Sequence, residues 1–296
     1  MASFPPRRVY DVALPGRVLR LGDRTLLMGI LNVTPDSFAD RAPRVDPGIA
    51  FEAALRMEEE GADIIDVGGE STRPGAEPIP AREEQARILP VLRGLAGRLK
   101  VPFSVDTYKA DVARVAIEAG ASIVNDVSGL AYEPALARVV ATGGAALVLM
   151  HTRGRPKAMY DEAVYDDLLA DVARELRESM TIATTGGMPL ERLIVDPGIG
   201  FAKRPAHSYG VLAGLSDLAS ALDRPMLVGP SRKSFMADAV GSRPAYQRDW
   251  GTAAAVTAAV LAGAHIVRVH AVAEMVQVVR VADEIRRRGA VPGSGV

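Results

Sequence analysis

The chain has 296 residues, of which 48% are hydrophobic and 24% charged, the composition of a soluble globular protein with a core to bury. Its 35 Lys and Arg balance 36 Asp and Glu, so the formal net charge is -1 and no global positive field exists to hold a nucleic-acid backbone or an anionic membrane. There is no cysteine, which removes disulfides, thiolate nucleophiles and Cys-based metal sites.

In chain order, MASFPPRRVY lacks the apolar core of a signal peptide, and the expected location is cytoplasmic. Arg17–Leu21 and Thr25–Leu27 flank Gly22-Asp23, a hairpin pattern suited to plugging the bottom of a larger fold. Short aliphatic runs then recur: Leu26–Leu31, Ile64–Val67, Val101–Val105, Ile123–Asn125, Ala146–Met150, Leu193–Val195, Met226–Val228 and Ile266–Val269. Each is too short for a buried helix and ends in Gly or a polar residue, so each reads as a buried strand. Between them lie amphipathic segments: Pro47–Glu60, Glu83–Leu99, Asp111–Ala119, Pro134–Ala141, Tyr165–Thr184, Ser208–Leu222, Trp250–Leu261 and Val272–Arg287. The apolar stretch from Thr252 to Val267 is broken by Gly263 and reads as helix, turn and strand, not as a membrane span.

Strand and helix alternate through eight units, the pattern of parallel βα repeats. An open doubly wound sheet and a closed barrel both fit. The count of eight and the usual barrel length of roughly 250 residues favour the α/β class as a (β/α)8 TIM barrel. No linker interrupts the pattern, so residues 1–296 read as one domain, with an ordered core over about 17–288 and a frayed tail at 291–296.

The polar residues that break the core pattern all follow strands. They include Asn32 to Phe38, Gly68 to Gly75, Asp106-Thr107, Asn125-Asp126, His151, Asp196 to Lys203, Gly229 to Ser234, and Arg268 with His270. In a barrel these positions share the C-terminal face, where the active sites of this fold are built. Arg268 and His270 alternate on the last strand, so their side chains point the same way and make an anion site. Asp111 reads as a helix N-cap, Asp126 as support for its neighbours, and His151 and His265 as core histidines.

The runs NVTPDSF, DVGGESTRPG, SVDT, VND, VDPGIGF, GPSRKSF and RVH occur in that order from Asn32 to His270. They resemble the dihydropteroate synthase family, sulfonamide-targeted (β/α)8-barrel transferases of folate biosynthesis. The resemblance implies that a dihydropterin pyrophosphate and p-aminobenzoate are joined to give dihydropteroate and pyrophosphate, with Mg²⁺ as cofactor, in a homodimer. It assigns Asp106, Asn125, Asp196 and Lys233 to the pterin, with Met150 lining that pocket. These are groups whose donors and acceptors match the edge of such a ring. It assigns Thr72, Arg73, Pro74 and Phe201 to p-aminobenzoate; Ser234 and Arg232 are candidates for holding that carboxylate and for shaping the pocket, the role of Arg232 between the two being open. Asn32 is carried over as the Mg²⁺ ligand, and Asn32, Arg268 and His270 as the pyrophosphate site. Catalysis then rests on Asn32, Lys233, Arg268 and His270.

No residue is an obvious nucleophile or strong base, and the resemblance implies leaving-group ionisation first and amine attack second, with electrostatics and positioning supplying most of the acceleration. The loops after the first two strands read as lids, with Asp36 and Phe38 closing over the second substrate. Relatives often carry Gly where this chain has Ala202 and Asp where it has Ala271. The Ala202 methyl is expected to narrow the sixth loop, and Ala271 to cost a helix cap. Rival readings are a methyltetrahydrofolate-dependent methyltransferase, a non-catalytic pterin-binding paralogue, and a sugar-phosphate aldolase or isomerase barrel.

Overall fold

The computed structural model describes residues 4, 7–34, 46–73, 75–155, 157 and 160–289. In the barrel strands, side chains alternate between two separate apolar environments, as the pleat requires. Leu27, Leu31, Ile65, Val67, Val105, Val124, Leu147, Leu149, Val195 and Val267 face the helices. Leu26, Met28, Ile64, Ile123, Ala146, Val148, Ile194, Leu227 and Ile266 face inward.

Two short strands come first, β1 (Tyr10–Leu14) and β2 (Arg17–Leu21). Eight parallel strands follow: β3 (Leu26–Asn32), β4 (Ile64–Gly68), β5 (Phe103–Asp106), β6 (Ile123–Asp126), β7 (Ala146–Met150), β8 (Leu193–Asp196), β9 (Leu227–Val228) and β10 (Ile266–Val269). They pair in the order β8-β7-β6-β5-β4-β3-β10-β9. A parallel bridge between Val195 and Met226, with the Val195 N–H donating to Pro225 O at 2.9 Å, joins β8 to β9 and closes the ring. The helices are α1 (Pro47–Glu60), α2 (Ala81–Leu95), α3 (Ala110–Glu118), α4 (Leu136–Gly143), α5 (Leu168–Thr185), α6 (Pro205–Ala213), α7 (Leu215–Leu222), α8 (Ala237–Val240), α9 (Asp249–Leu261) and α10 (Val272–Gly289). The (β/α)8 barrel expected from the alternation is the fold observed. Among the described residues, no helix is long and apolar enough to cross a membrane.

Several boundaries differ from the sequence reading. The hairpin is one unit earlier: β1 pairs antiparallel with β2 from Tyr10↔Leu21 to Leu14↔Arg17, so Pro15-Gly16 makes the turn and Thr25–Leu27 runs into the barrel. Pro presets the first turn position, and Gly16, at φ +72°, takes the second. Val12, Leu14, Leu19 and Leu21 then pack on the inward residues and seal the barrel floor. The folded core therefore starts before residue 17, and Arg7 already donates to Asp283 at 3.0 Å. The segment Ser208–Leu222 is two helices, because the chain bends at Gly214, which ends α6 and begins α7. Asp111 lies in the first turn of α3 and not at its cap, which is Lys109. A carboxylate there still faces the positive end of the helix dipole. Residues 291–296 lie outside the described residues.

Candidate active site

The same alternation that fills the floor with aliphatics turns a second set of side chains inward at the upper strand ends. Asn32, Asp66, Ser104, Asp106, Asn125, Met150, Asp196, Arg268 and His270 share the inward register with the floor residues below them. Asp126 falls on the opposite face. Its carboxylate accepts from the Ser128 N–H at 2.8 Å and the Leu130 N–H at 2.6 Å, so it shapes the turn after β6.

At the centre of the mouth, the Arg268 guanidinium joins two carboxylates. Nε donates to Asp66 Oδ2 at 2.6 Å and Nη2 to Asp106 Oδ2 at 2.7 Å. Asp66 is fully buried and also accepts from Asn125 Nδ2 at 3.0 Å and from the Ser104 hydroxyl. Asp106 Oδ1, in contrast, is buried with no partner among the described residues. Burial pushes the Asp106 carboxyl up from its ordinary range, and Arg268 opposes that shift. An acceptor left unmatched in a buried site is costly unless a ligand supplies the donor.

The loop after β8 needs its glycines. Asp196 Oδ1 accepts from the Gly198 N–H at 2.7 Å. Gly198 has φ +67°, and a Cβ there would sit 1.9 Å from His151 O. A Cβ on Gly200, at φ +78°, would lie 2.9 Å from Lys233 Cδ. Only glycine lets this loop lie against β7 and the Lys233 stem. The Lys233 ammonium donates to Ile199 O and lies 4.4 Å from the Phe201 ring centroid. Burial pushes this amine down to about 8, and Asp196 holds it back. Ala202 does not line the cavity. It adopts φ +47°, so its methyl strains the backbone by about 1–2 kcal/mol instead of narrowing the loop. Ala271 directly precedes α10, where it offers no side-chain oxygen to cap the helix.

Among the residues singled out from the sequence, Asn32, Thr72, Arg73, Asp106, Phe201, Lys233, Ser234, Arg268 and His270 line one cavity of about 560 Å³. Asn125, Met150 and Asp196 are buried inward-facing neighbours at the strand ends but are not part of that cavity wall. Pro74, Asp36 and Phe38 lie outside the described residues. Arg232 lines the cavity, but its guanidinium is held by both oxygens of Asp249, at 2.7 and 2.8 Å. It braces the loop after β9 against α9 and so helps shape the pocket, one of the two roles the sequence leaves open for it.

His151 and His265 are satisfied core residues. Lys203 Nζ lies 2.8 Å from His151 Nδ1, and His151 Nε2 lies 3.0 Å from Glu175. The Met226 N–H donates to His265 Nδ1 at 3.1 Å. Burial pushes both imidazoles down to about 4. The sequence reading passed over Asp66, although a lone carboxylate inside Ile64–Val67, two residues before Gly68, was the available signal. It also left Lys203 unassigned, and nothing local marks that residue as buried.

A basic and carboxylate-bearing cavity at the C-terminal mouth of a (β/α)8 barrel, with a cation-rich turn after its seventh barrel strand, lies where enzymes of this fold build their active sites. The model of the family described as "Pterin binding enzyme" matches residues 28–270. The dihydropteroate synthase of Synechocystis is 43% identical over 266 residues, covering 90% of this chain and 92% of that one. The Yersinia pestis dihydropteroate synthase in complex with a sulfonamide drug superposes with a TM-score of 0.88 at 40% identity, covering 94% of this chain and 99% of that one. The Xanthomonas albilineans dihydropteroate synthase with 4-aminobenzoic acid gives 0.87 at 40% identity, covering 96% and 100%. The chain belongs to the pterin-binding enzyme family and, within it, to the dihydropteroate synthases.

Replacing Asp66 by Ala leaves the Arg268 guanidinium and the Asn125 amide without their buried acceptor. The expected cost is about 3 kcal/mol of folding stability, read from the midpoint of urea unfolding at constant slope. A loss below about 1 kcal/mol would mean that Asp106 alone suffices to hold the arginine.

Proposed function

We propose that this chain condenses 6-hydroxymethyl-7,8-dihydropterin pyrophosphate with p-aminobenzoate, giving 7,8-dihydropteroate and pyrophosphate. The observation that carries the reading is the unmatched Asp106 Oδ1 beside Arg268, in a cavity that also holds Lys233 and His270. A pterin edge presents N–H and amino donors that Asp106, Asn125 and Asp196 can accept, and a ring carbonyl and nitrogen that Lys233 can donate to. Met150, buried beside this cavity at the end of β7, is the candidate polarisable neighbour of the ring.

Arg268 and His270 stand where the pyrophosphate leaves. The bond from the pterin methylene carbon to the bridging oxygen breaks, and its electron pair goes to pyrophosphate. The resulting cation is delocalised over the ring, and carboxylates around a buried ring stabilise it. The aryl amine lone pair then forms the C–N bond, and the amine sheds one proton to solvent. Thr72, Arg73, Phe201 and Ser234, with Pro74, are the residues for holding p-aminobenzoate, and a relative binds 4-aminobenzoic acid.

Among the described residues, no group of three or more His, Asp or Glu is arranged to hold a metal. Asn32 on the cavity wall offers one neutral oxygen, a donor set that fits Mg²⁺ carried in by a charged substrate. When bound, the ion would neutralise the leaving pyrophosphate. The reading includes a homodimer. Its support is an outward apolar groove between α9 and α10, lined by Ala253, Ala254, Val278, Val281 and Ile285, with Trp250 89% exposed nearby. It also places the enzyme in the cytoplasm.

With both substrates and Mg²⁺, pyrophosphate release should depend on the amine and match dihydropteroate formed. Oxygen-18 in the bridging position should scramble with the amine omitted, because ionisation comes first. Binding of the pterin without turnover would make the chain a non-catalytic paralogue. The Lys233 ammonium donates only while protonated, so kcat/KM for the pterin substrate should fall as pH rises through about 8. The Lys233→Arg variant, cationic throughout, should lack that alkaline limb. Light scattering should give twice the chain mass, and Val281→Glu should return a monomer.

A further inference from the structure

His270 reaches the cavity from the last barrel strand, and one ring nitrogen is already in use. Nδ1 lies 2.9 Å from Ser231 Oγ. The same Oγ lies 3.1 Å from the His270 backbone nitrogen, whose N–H it accepts. Ser231 is 5% exposed and lines the same cavity. These are the only partners of its hydroxyl among the described residues, and Nε2 of His270 has no protein partner among them.

The hydrogen count decides the direction of the second contact. A serine hydroxyl has one hydrogen and two acceptor sites. One acceptor site is taken by the His270 backbone N–H. If Nδ1 also donated, the hydroxyl hydrogen of the nearly buried Ser231 would have no acceptor among the described residues, which disfavours that arrangement. If the hydroxyl donates to Nδ1, both atoms of that contact are matched and the ring proton sits on Nε2, on the half-buried ring that lines the cavity. Burial and the cations Arg268 and Arg232 keep the ring neutral, so a second proton does not intervene.

We infer that Ser231 is a positioning residue for the leaving group: it locks His270 in the Nε2–H tautomer, so that the ring offers a donor and not a lone pair to the departing phosphate. The inference rests on the proposed pyrophosphate site. It deepens that site by giving His270 one fixed role, a neutral hydrogen-bond donor, and by excluding a role as base in the first step. With the opposite tautomer, the Nε2 lone pair would face phosphate oxygens that carry only lone pairs.

The test uses the full-length protein labelled with nitrogen-15 histidine. Long-range proton–nitrogen correlations should show His270 with a protonated Nε2 and a bare Nδ1. Calorimetric titration with pyrophosphate, with and without Mg²⁺, reads the functional side. Ser231→Ala should mix the two tautomers and weaken pyrophosphate affinity roughly fivefold to tenfold. Ser231→Thr, which keeps the hydroxyl, should restore both. A role in packing alone would lower the stability of Ser231→Ala without changing the tautomer signals. Wild type that binds pyrophosphate with Nδ1 protonated overturns this inference alone. Wild type with the Nε2–H tautomer but no affinity for pyrophosphate overturns the reading of the site, and the role of Ser231 with it.

Discussion

The arrangement of the mouth depends on one buried ion-pair system, Arg268 between Asp66 and Asp106. It spans three strands, β10, β4 and β5, and sits directly above an apolar floor. In such surroundings a charge is tolerated only when its partners are close and well aligned. Asp66 meets that condition with three donors. Asp106 meets it by half, since one oxygen is engaged and the other, among the described residues, is not. The satisfied carboxylate fixes the arginine, and the half-satisfied one makes the site receptive to a donor.

The remaining parts hold their place by reference to that centre. Lys233 leans on Gly200 and caps the carbonyl of Ile199, which ties the turn after β9 to the loop after β8. Arg232 has φ +56° and clasps Asp249, while its own N–H donates to Thr252 Oγ1 at 2.9 Å. The strained turn that presents Lys233 and Ser234 is thus riveted to the start of α9. No nucleophile is needed in such a site. In the proposed reaction preorganised charges and fixed positions carry the chemistry, and Arg268 and Lys233 are held by bonds made before the substrates arrive.

Much of this was legible from the residues alone. Short aliphatic runs alternating with amphipathic segments predicted the barrel, and all eight of its strands lie within two residues of the expected bounds. The strand-end polar residues were also legible, because a charge that follows an aliphatic run breaks the core pattern visibly. The hairpin was displaced because Gly22-Asp23 is as good a turn signal as Pro15-Gly16. Only packing on the barrel floor selects the second. The segment Ser208–Leu222 was merged because an apolar stripe continues through Gly214.

The sequence by itself determined the class of fold, the end of the barrel that carries the chemistry, and the residue types gathered there. Local period and turn chemistry act over a few neighbouring residues, and both can be read along one chain. Tertiary structure decided which of those residues are already committed. Arg268 meets Asp66 across 202 residues and Asp106 across 162, and Arg232 is spent on Asp249. Lys203 is buried against His151, and Ser231 is matched to His270. Those pairings follow from distance and burial once the ring is closed, and neither quantity is written in the local pattern of residues.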